Sequence, residues 1–221
     1  MKNAAISLLA AAGLAAPALA EGDISLMISG GQLVTTKVSE DGDPLGPSRV
    51  FSGVLTDVLG ELYADEPGIQ IEDGTLTPGT DLRFYFSKAL RQWNGSSFAS
   101  IAGGTMSATF GPLTNSIVTP GSDVNSGNLL FPVEPLGGLH DHPDWVLAGH
   151  TPSGGPEFFL VEARFSYDGS TDSDPFYIVF GLNATEEQLE EIEGWVENNI
   201  VPSPGSLALL AMAGLVARRR R

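Results

Sequence analysis

Apolar runs of five to eleven residues, each closed by glycine, proline, asparagine or aspartate, recur along this 221-residue chain. This punctuation constrains the fold more than any other feature. A globular helix needs roughly ten or more residues of unbroken 3.6-residue periodicity, whereas a strand needs only about four to eight. Asp23–Ser29, Gln32–Val38, Leu82–Phe86, Thr105–Phe110, Glu157–Tyr167 and Phe176–Leu182 therefore read as strands. Gly30-Gly31 closes the first and Glu40-Asp41-Gly42-Asp43 the second, both of them turn chemistry. Phe51–Tyr63 is read as strand, although Val54, Val58 and Leu62 also fit helical spacing. The expected fold class is mainly β: a single antiparallel β-sandwich or jelly-roll-like domain over residues 21–200.

One helix is signalled within that domain, near its end. Thr185-Glu186-Glu187-Gln188 is a capping box, with the threonine oxygen accepting from the Gln188 N–H and the glutamine reaching back. Glu186 and Glu187 complement the helix dipole in the first turn. Leu189, Ile192 and Val196 share an apolar face with Trp195 beside it, and Glu190, Glu191, Glu193 and Glu197 are assigned to a solvated face. This amphipathic helix is expected to cover the β-domain.

The two ends read as addresses. Lys2 precedes the apolar stretch Ala4–Ala16, and Ala18-Leu19-Ala20 supplies a small-x-small cleavage site, so residues 1–20 are expected to be a signal peptide cut by signal peptidase after Ala20. At the far end, Val201-Pro202-Ser203-Pro204-Gly205 leads into the apolar stretch Ser206–Ala217, and Arg218, Arg219, Arg220 and Arg221 close the chain. Twelve residues of helix rise about 18 Å against a hydrocarbon core of roughly 30 Å. Such a short hydrophobic helix is a poor permanent anchor, and the arginines would hold its end on the cytoplasmic side.

This arrangement resembles the PEP-CTERM sorting tail of exported bacterial proteins: a Val-Pro-Glu-Pro-like motif, a short Leu/Ala/Gly-rich helix and a terminal arginine cluster, in chains that begin with a signal peptide. Val201, Pro202 and Pro204 match the motif, as do Arg218 to Arg221, while Ser203 stands where the glutamate is expected. The resemblance implies transient membrane contact through the tail and recognition by an exosortase, a membrane-embedded processing enzyme. Release or transfer to the cell surface or extracellular matrix would follow. The runs at 89–98, 137–147 and 173–199 are similar to a recurring ectodomain of such exported proteins; that similarity implies one domain over most of 21–200 and carries no activity with it.

Charge and cysteine usage exclude several classes. The chain has 27 acidic and 11 basic residues, net −16, and a surface this negative repels a phosphate backbone, which argues against nucleic-acid binding. Removing residues 1–20 and 202–221 takes away Lys2 and the four arginines and no acid, which leaves 6 basic and 27 acidic side chains, net −21. With no cysteine there is no disulfide scaffold, thiolate zinc site or cysteine nucleophile.

Chemistry is concentrated in one window that holds His140, His142 and His150, all three histidines of the chain. Alternate residues of a strand share a face, so His140-Asp141-His142 offers two imidazoles to one metal ion, with Asp144 or His150 as the third ligand. Pro143 marks a strand end or an edge there. A cupin site would need a glutamate a few residues on, where Val146 and Leu147 stand, and the second histidine motif of that family is also missing. The acidic turns at 40–43 and 168–174 offer oxygen ligands to calcium but read more simply as hairpin turns. Trp93, Trp145 and Trp195, with Tyr85, Tyr167 and Tyr177, are candidates for a sugar-stacking platform, Trp93 foremost because its polar neighbours place it near a loop. No G-x-S-x-G elbow is present.

Three functions are expected in descending order. The first is a structural or interaction protein of the cell envelope without catalysis or a cofactor of its own. An extracellular-polysaccharide-binding module, with or without calcium, follows. A divalent-metal-binding protein or metal-dependent enzyme centred on His140 and His142 is third.

Overall fold

The structure, a computed structural model, describes residues 22–39, 42–111 and 115–202. Among them the chain forms β1 (Asp23–Ser29), β2 (Gln32–Val38), β3 (Pro44–Pro47), β4 (Val50–Val58), β5 (Glu61–Ala64), β6 (Ile69–Ile71), β7 (Asp81–Phe86) and β8 (Arg91–Gln92). It continues through β9 (Ser100–Ile101), β10 (Thr105–Phe110), β11 (Asn115–Val118), β12 (Leu129–Pro132), β13 (Leu139–Asp141), β14 (Asp144–Ala148), β15 (Glu157–Ser166) and β16 (Phe176–Leu182), and then α1 (Glu186–Asn199). The fold is mainly β and sandwich-like, with one helix at the C-terminal end, as the punctuation of the sequence requires.

The smaller sheet has the order β13-β6-β1-β2-β3, and the larger runs β11-β10-β14-β5-β4-β16-β15-β7-β12, with β8 and β9 attached to β15. Both are mixed rather than wholly antiparallel: β1 pairs with β6 in parallel, and β4 with β16. Alternation of apolar residues specifies which face a side chain takes but not the direction of the neighbouring strand. Phe51–Tyr63 is a hairpin, β4 and β5, joined at Leu59-Gly60. The strand β4 serves two neighbours in turn, β16 along Val50–Leu55 and β5 along Thr56–Val58. The far ends of the larger sheet approach each other, with Phe110 and Phe131 ring centroids 4.8 Å apart and Asn115 Nδ2 donating to the Leu130 carbonyl at 3.0 Å.

Both sheets share one apolar core, which joins Ile24, Leu33 and Ile69 to Phe84, Trp145, Phe165 and Phe180. A second apolar layer lies under α1, where Leu189, Ile192 and Val196 pack on Val50, Phe158, Leu160, Tyr177 and Val179. That is why every residue of β16 is buried: the core lies on one face and the helix on the other. The capping box forms as expected, with Gln188 N–H donating to Thr185 Oγ1 at 3.3 Å and Thr185 N–H to Gln188 Oε1 at 3.0 Å. Glu193 departs from the expected solvated face. It lies four residues after Leu189 and three before Val196, within the buried stripe, and its carboxylate stands 3.8 Å from Lys37 Nζ.

Candidate metal centre

Three strand ends of the smaller sheet lie side by side at this centre. Ile24 of β1 and Asp141 of β13 both register with Ile69 of β6. One step along the ladder, Asp23, Gly68 and His142 therefore form a row. Ile24 and Ile69 are fully buried on the core face, so the alternation of the pleat turns Asp23, the bare face of Gly68 and His142 to the other side. His140, two residues before His142 and opposite Gln70, joins that side.

The side chains converge. His140 Nε2 and His142 Nε2 are 3.3 Å apart, and candidate ligand atoms of Asp23, His140 and His142 all lie within 4.8 Å of one another. Both imidazoles are exposed, while Asp23 is buried and accepts the Gly68 N–H at 2.9 Å. The same N–H reaches Glu66 Oε2 at 2.8 Å. On its far side, His142 Nδ1 stands 3.2 Å from Glu66 Oε1 and 3.3 Å from the Asp65 carbonyl. The loop that supplies these groups is fastened from beneath, because Trp145 Nε1 donates to the Pro67 carbonyl at 3.2 Å. A side chain at Gly53 would run into the Glu66 carbonyl. Burial pushes the Glu66 carboxyl up to about 7; the Gly68 N–H opposes this, Asp23 adds to it, and His142 lowers it again. Burial also raises Asp141, against the His142 N–H and the two imidazoles.

The structure thus brings together two of the four residues expected as ligands and replaces the third. Asp144, exposed at the start of β14, accepts a hydrogen bond from Tyr63 Oη at 2.8 Å instead. His150 lies beyond the opposite end of β14, where Nε2 meets Glu157 Oε2 at 2.9 Å and the ring packs edge-on against Phe159. Pro143 does interrupt the strand, since β13 ends at Asp141 and β14 begins at Asp144. Asp23 and Glu66 carry no local signal of this role, because they reach the histidines only through sheet pairing.

The other candidates are arranged differently. In the turn at 168–174, Asp168 pairs with Arg83 at 2.8 Å, Asp172 accepts from Tyr85 Oη at 2.9 Å, and Asp174 faces Arg49 at 4.0 Å. These carboxylates are spread over separate partners, the hairpin reading of that turn. Glu40 and Asp41 lie outside the described residues. Trp145 is fully buried, which removes it from any sugar platform, and half-buried Trp93 packs edge-on against Trp195 at 4.8 Å and at a tilt against Phe98 at 5.1 Å. Of the processing residues, Val201 packs against the layer under α1 and Pro202 is exposed. Ala18, Ala20, Pro204, Arg218, Arg219, Arg220 and Arg221 lie outside the described residues. Among those described, no helix is long and apolar enough to cross a membrane. Compared with known proteins, the chain matches no family model, no curated protein and no solved structure.

Proposed function

We propose that this is an exported cell-surface or extracellular-matrix protein of structural or interaction type, carried out on its N-terminal signal and sorted by its PEP-CTERM-like tail. The observation that carries this reading is the junction between domain and tail. Ile200 and Val201 still pack against the apolar layer under α1, and Pro202, the last of the described residues, is exposed. An exosortase acting after Pro202 would remove the tail without opening the core. Signal peptidase would act in the same way at Ala20. The net charge of −21 on residues 21–201 suits a domain kept soluble and apart from its neighbours outside the cell.

The body is read as non-catalytic. Its histidine pair stands at an exposed sheet edge, whereas cavities of about 460 and 250 Å³ are lined by Val54, Asp57, Leu182 and Asn183 and by Lys88, Arg91, Phe98 and Tyr177. Neither of these two cavities is lined by a histidine. The test is expression in a bacterium that carries an exosortase, comparing the full chain with a variant ending at Pro202 and with an Arg218–Arg221→Ala variant. The full chain should lose mass at both ends and reach the surface, while the arginine variant should stall with its tail attached. Identical masses and locations for the full chain and the arginine variant would overturn the sorting role.

A further inference from the structure

We propose that Asp23, His140 and His142 bind one divalent transition ion of the zinc class, with three protein ligands and a fourth position open to solvent. This rests on residues other than those of the export reading, so either can fail alone.

The spacing of the two imidazoles is the first support. Nitrogens that each sit about 2.0–2.1 Å from one tetrahedral ion stand about 3.3–3.4 Å apart. His140 Nε2 and His142 Nε2 are 3.3 Å apart. Without an ion, that approach leaves at most one N–H···N contact, on a face where both rings are exposed to water. With an ion, both lone pairs are used.

The second support is the far side of His142. Nδ1 lies against Glu66 Oε1 and the Asp65 carbonyl, two acceptors, which keeps the ring proton on Nδ1 and the lone pair on Nε2. This is the tautomer that ligation through Nε2 requires, and a carboxylate behind a ligating histidine is the usual outer partner of such sites. Glu66 is itself held by the Gly68 N–H, so the ring is oriented by a fixed group.

Asp23 completes the set. Its carboxylate is buried and tethered by the Gly68 N–H, and Gly68 contributes no side chain to the space that Asp23 and His142 occupy. Two imidazoles and one carboxylate select zinc, copper, nickel or cobalt over calcium and magnesium, which take oxygen ligands. The ion would join the start of β1 to the end of β13 across β6, a link between segments more than a hundred residues apart. It would thereby fasten the edge of the smaller sheet and offer its fourth position to water or to a donor on another molecule.

The experiment is calorimetric titration of the purified full chain with zinc chloride and, separately, calcium chloride, together with the visible spectrum of the cobalt(II) form. One zinc per chain and the intense visible bands of tetrahedral cobalt are expected, with no calcium bound at this site. His140→Ala/His142→Ala should weaken zinc at least about 100-fold. Glu66→Gln, which disturbs only the outer partner, should cost on the order of tenfold. Asp23→Asn keeps an acceptor for Gly68 and should weaken zinc about tenfold or more, with an unchanged circular dichroism spectrum showing that the domain still folds. Zinc binding that is absent, or undiminished in the double histidine variant, would overturn the site. Affinity unchanged in a folded Asp23→Asn variant would overturn the three-ligand assignment.

Discussion

Asp23 accepts the N–H of Gly68 at 2.9 Å, and its carboxylate occupies the space that a side chain on Gly68 would need. A Cβ there would stand 2.7 Å from Asp23 Oδ1 and 2.8 Å from His142 Cε1. Gly68→Ala should therefore lower stability by about 1–3 kcal/mol, the usual cost of overpacking, and weaken zinc binding as well. Gly127→Ala is the control, since nothing lies within 4 Å of its added carbon. Urea unfolding of the two variants checks this: equal midpoints would contradict the close packing at Gly68.

Leu59 takes a left-handed conformation, φ 57°, at the tip of the β4–β5 hairpin and is fully exposed. A turn of this kind favours asparagine or glycine, because a branched apolar side chain is strained at positive φ and buries nothing here. Leu59→Asn is expected to stabilise the domain by about 0.5–1 kcal/mol. A rise in the thermal midpoint would bear this out, and a fall would mean that Leu59 makes a contact in solution.

Lys37 and Glu193 form an ion pair beneath α1, 3.8 Å apart, with side chains 7% and 2% exposed. Removing one partner leaves the other charge buried, so Lys37→Met alone should cost about 3–5 kcal/mol. Replacing both with methionine should recover most of that loss. A double-mutant cycle by chemical denaturation measures the difference; additive losses would show that the two groups are not coupled.

The same pair sets a pH dependence. Burial raises the Glu193 carboxyl above its ordinary value of 4.5, with Glu197 and Glu190 adding to the effect and Lys37 and Ser52 opposing it. In the window above 4.5 the folded state therefore holds a proton that the unfolded state has released. Folding stability falls as pH rises through that window, and is highest in this respect below it. The melting temperature of wild type minus that of Glu193→Gln should decline with rising pH across the window. A difference that increases with pH would reverse the sign argued here.

Thr185 holds the first turn of α1 through a reciprocal pair of hydrogen bonds with Gln188. Thr185→Ala should cost about 1 kcal/mol, whereas Thr185→Ser or Thr185→Asn should cost little. Amide exchange in the first turn, faster in the alanine variant alone, is the readout.

Much of this fold is legible in the residues. The longer strands, the hairpin at Gly30-Gly31 and the capped helix follow from periodicity and turn chemistry, because those signals act within a few residues. Short strands such as β3, β6, β8 and β9 do not, since two to four residues carry too little pattern to distinguish them from loop. Glu193 illustrates another limit: its charge suggested a solvated face, but its position between Leu189 and Val196 placed it in the buried stripe beside Lys37. At the candidate centre, the H-x-H spacing identified His140 and His142 through the two-residue repeat of a strand. Asp144 looked equally available by proximity, yet Pro143 broke the strand and the start of β14 faces Tyr63.

What the sequence determined by itself is therefore local: where the longer strands lie, how the helix is capped, and which two imidazoles share a side. Tertiary structure alone decided that β4 runs parallel to β16 and that β6 lies between β1 and β13. Those pairings brought Asp23 and Glu66 to His142 and left Asp144 and His150 to other partners. Hydrogen-bond ladders between distant strands form wherever the combined core packs best, and no short stretch of sequence contains that sum.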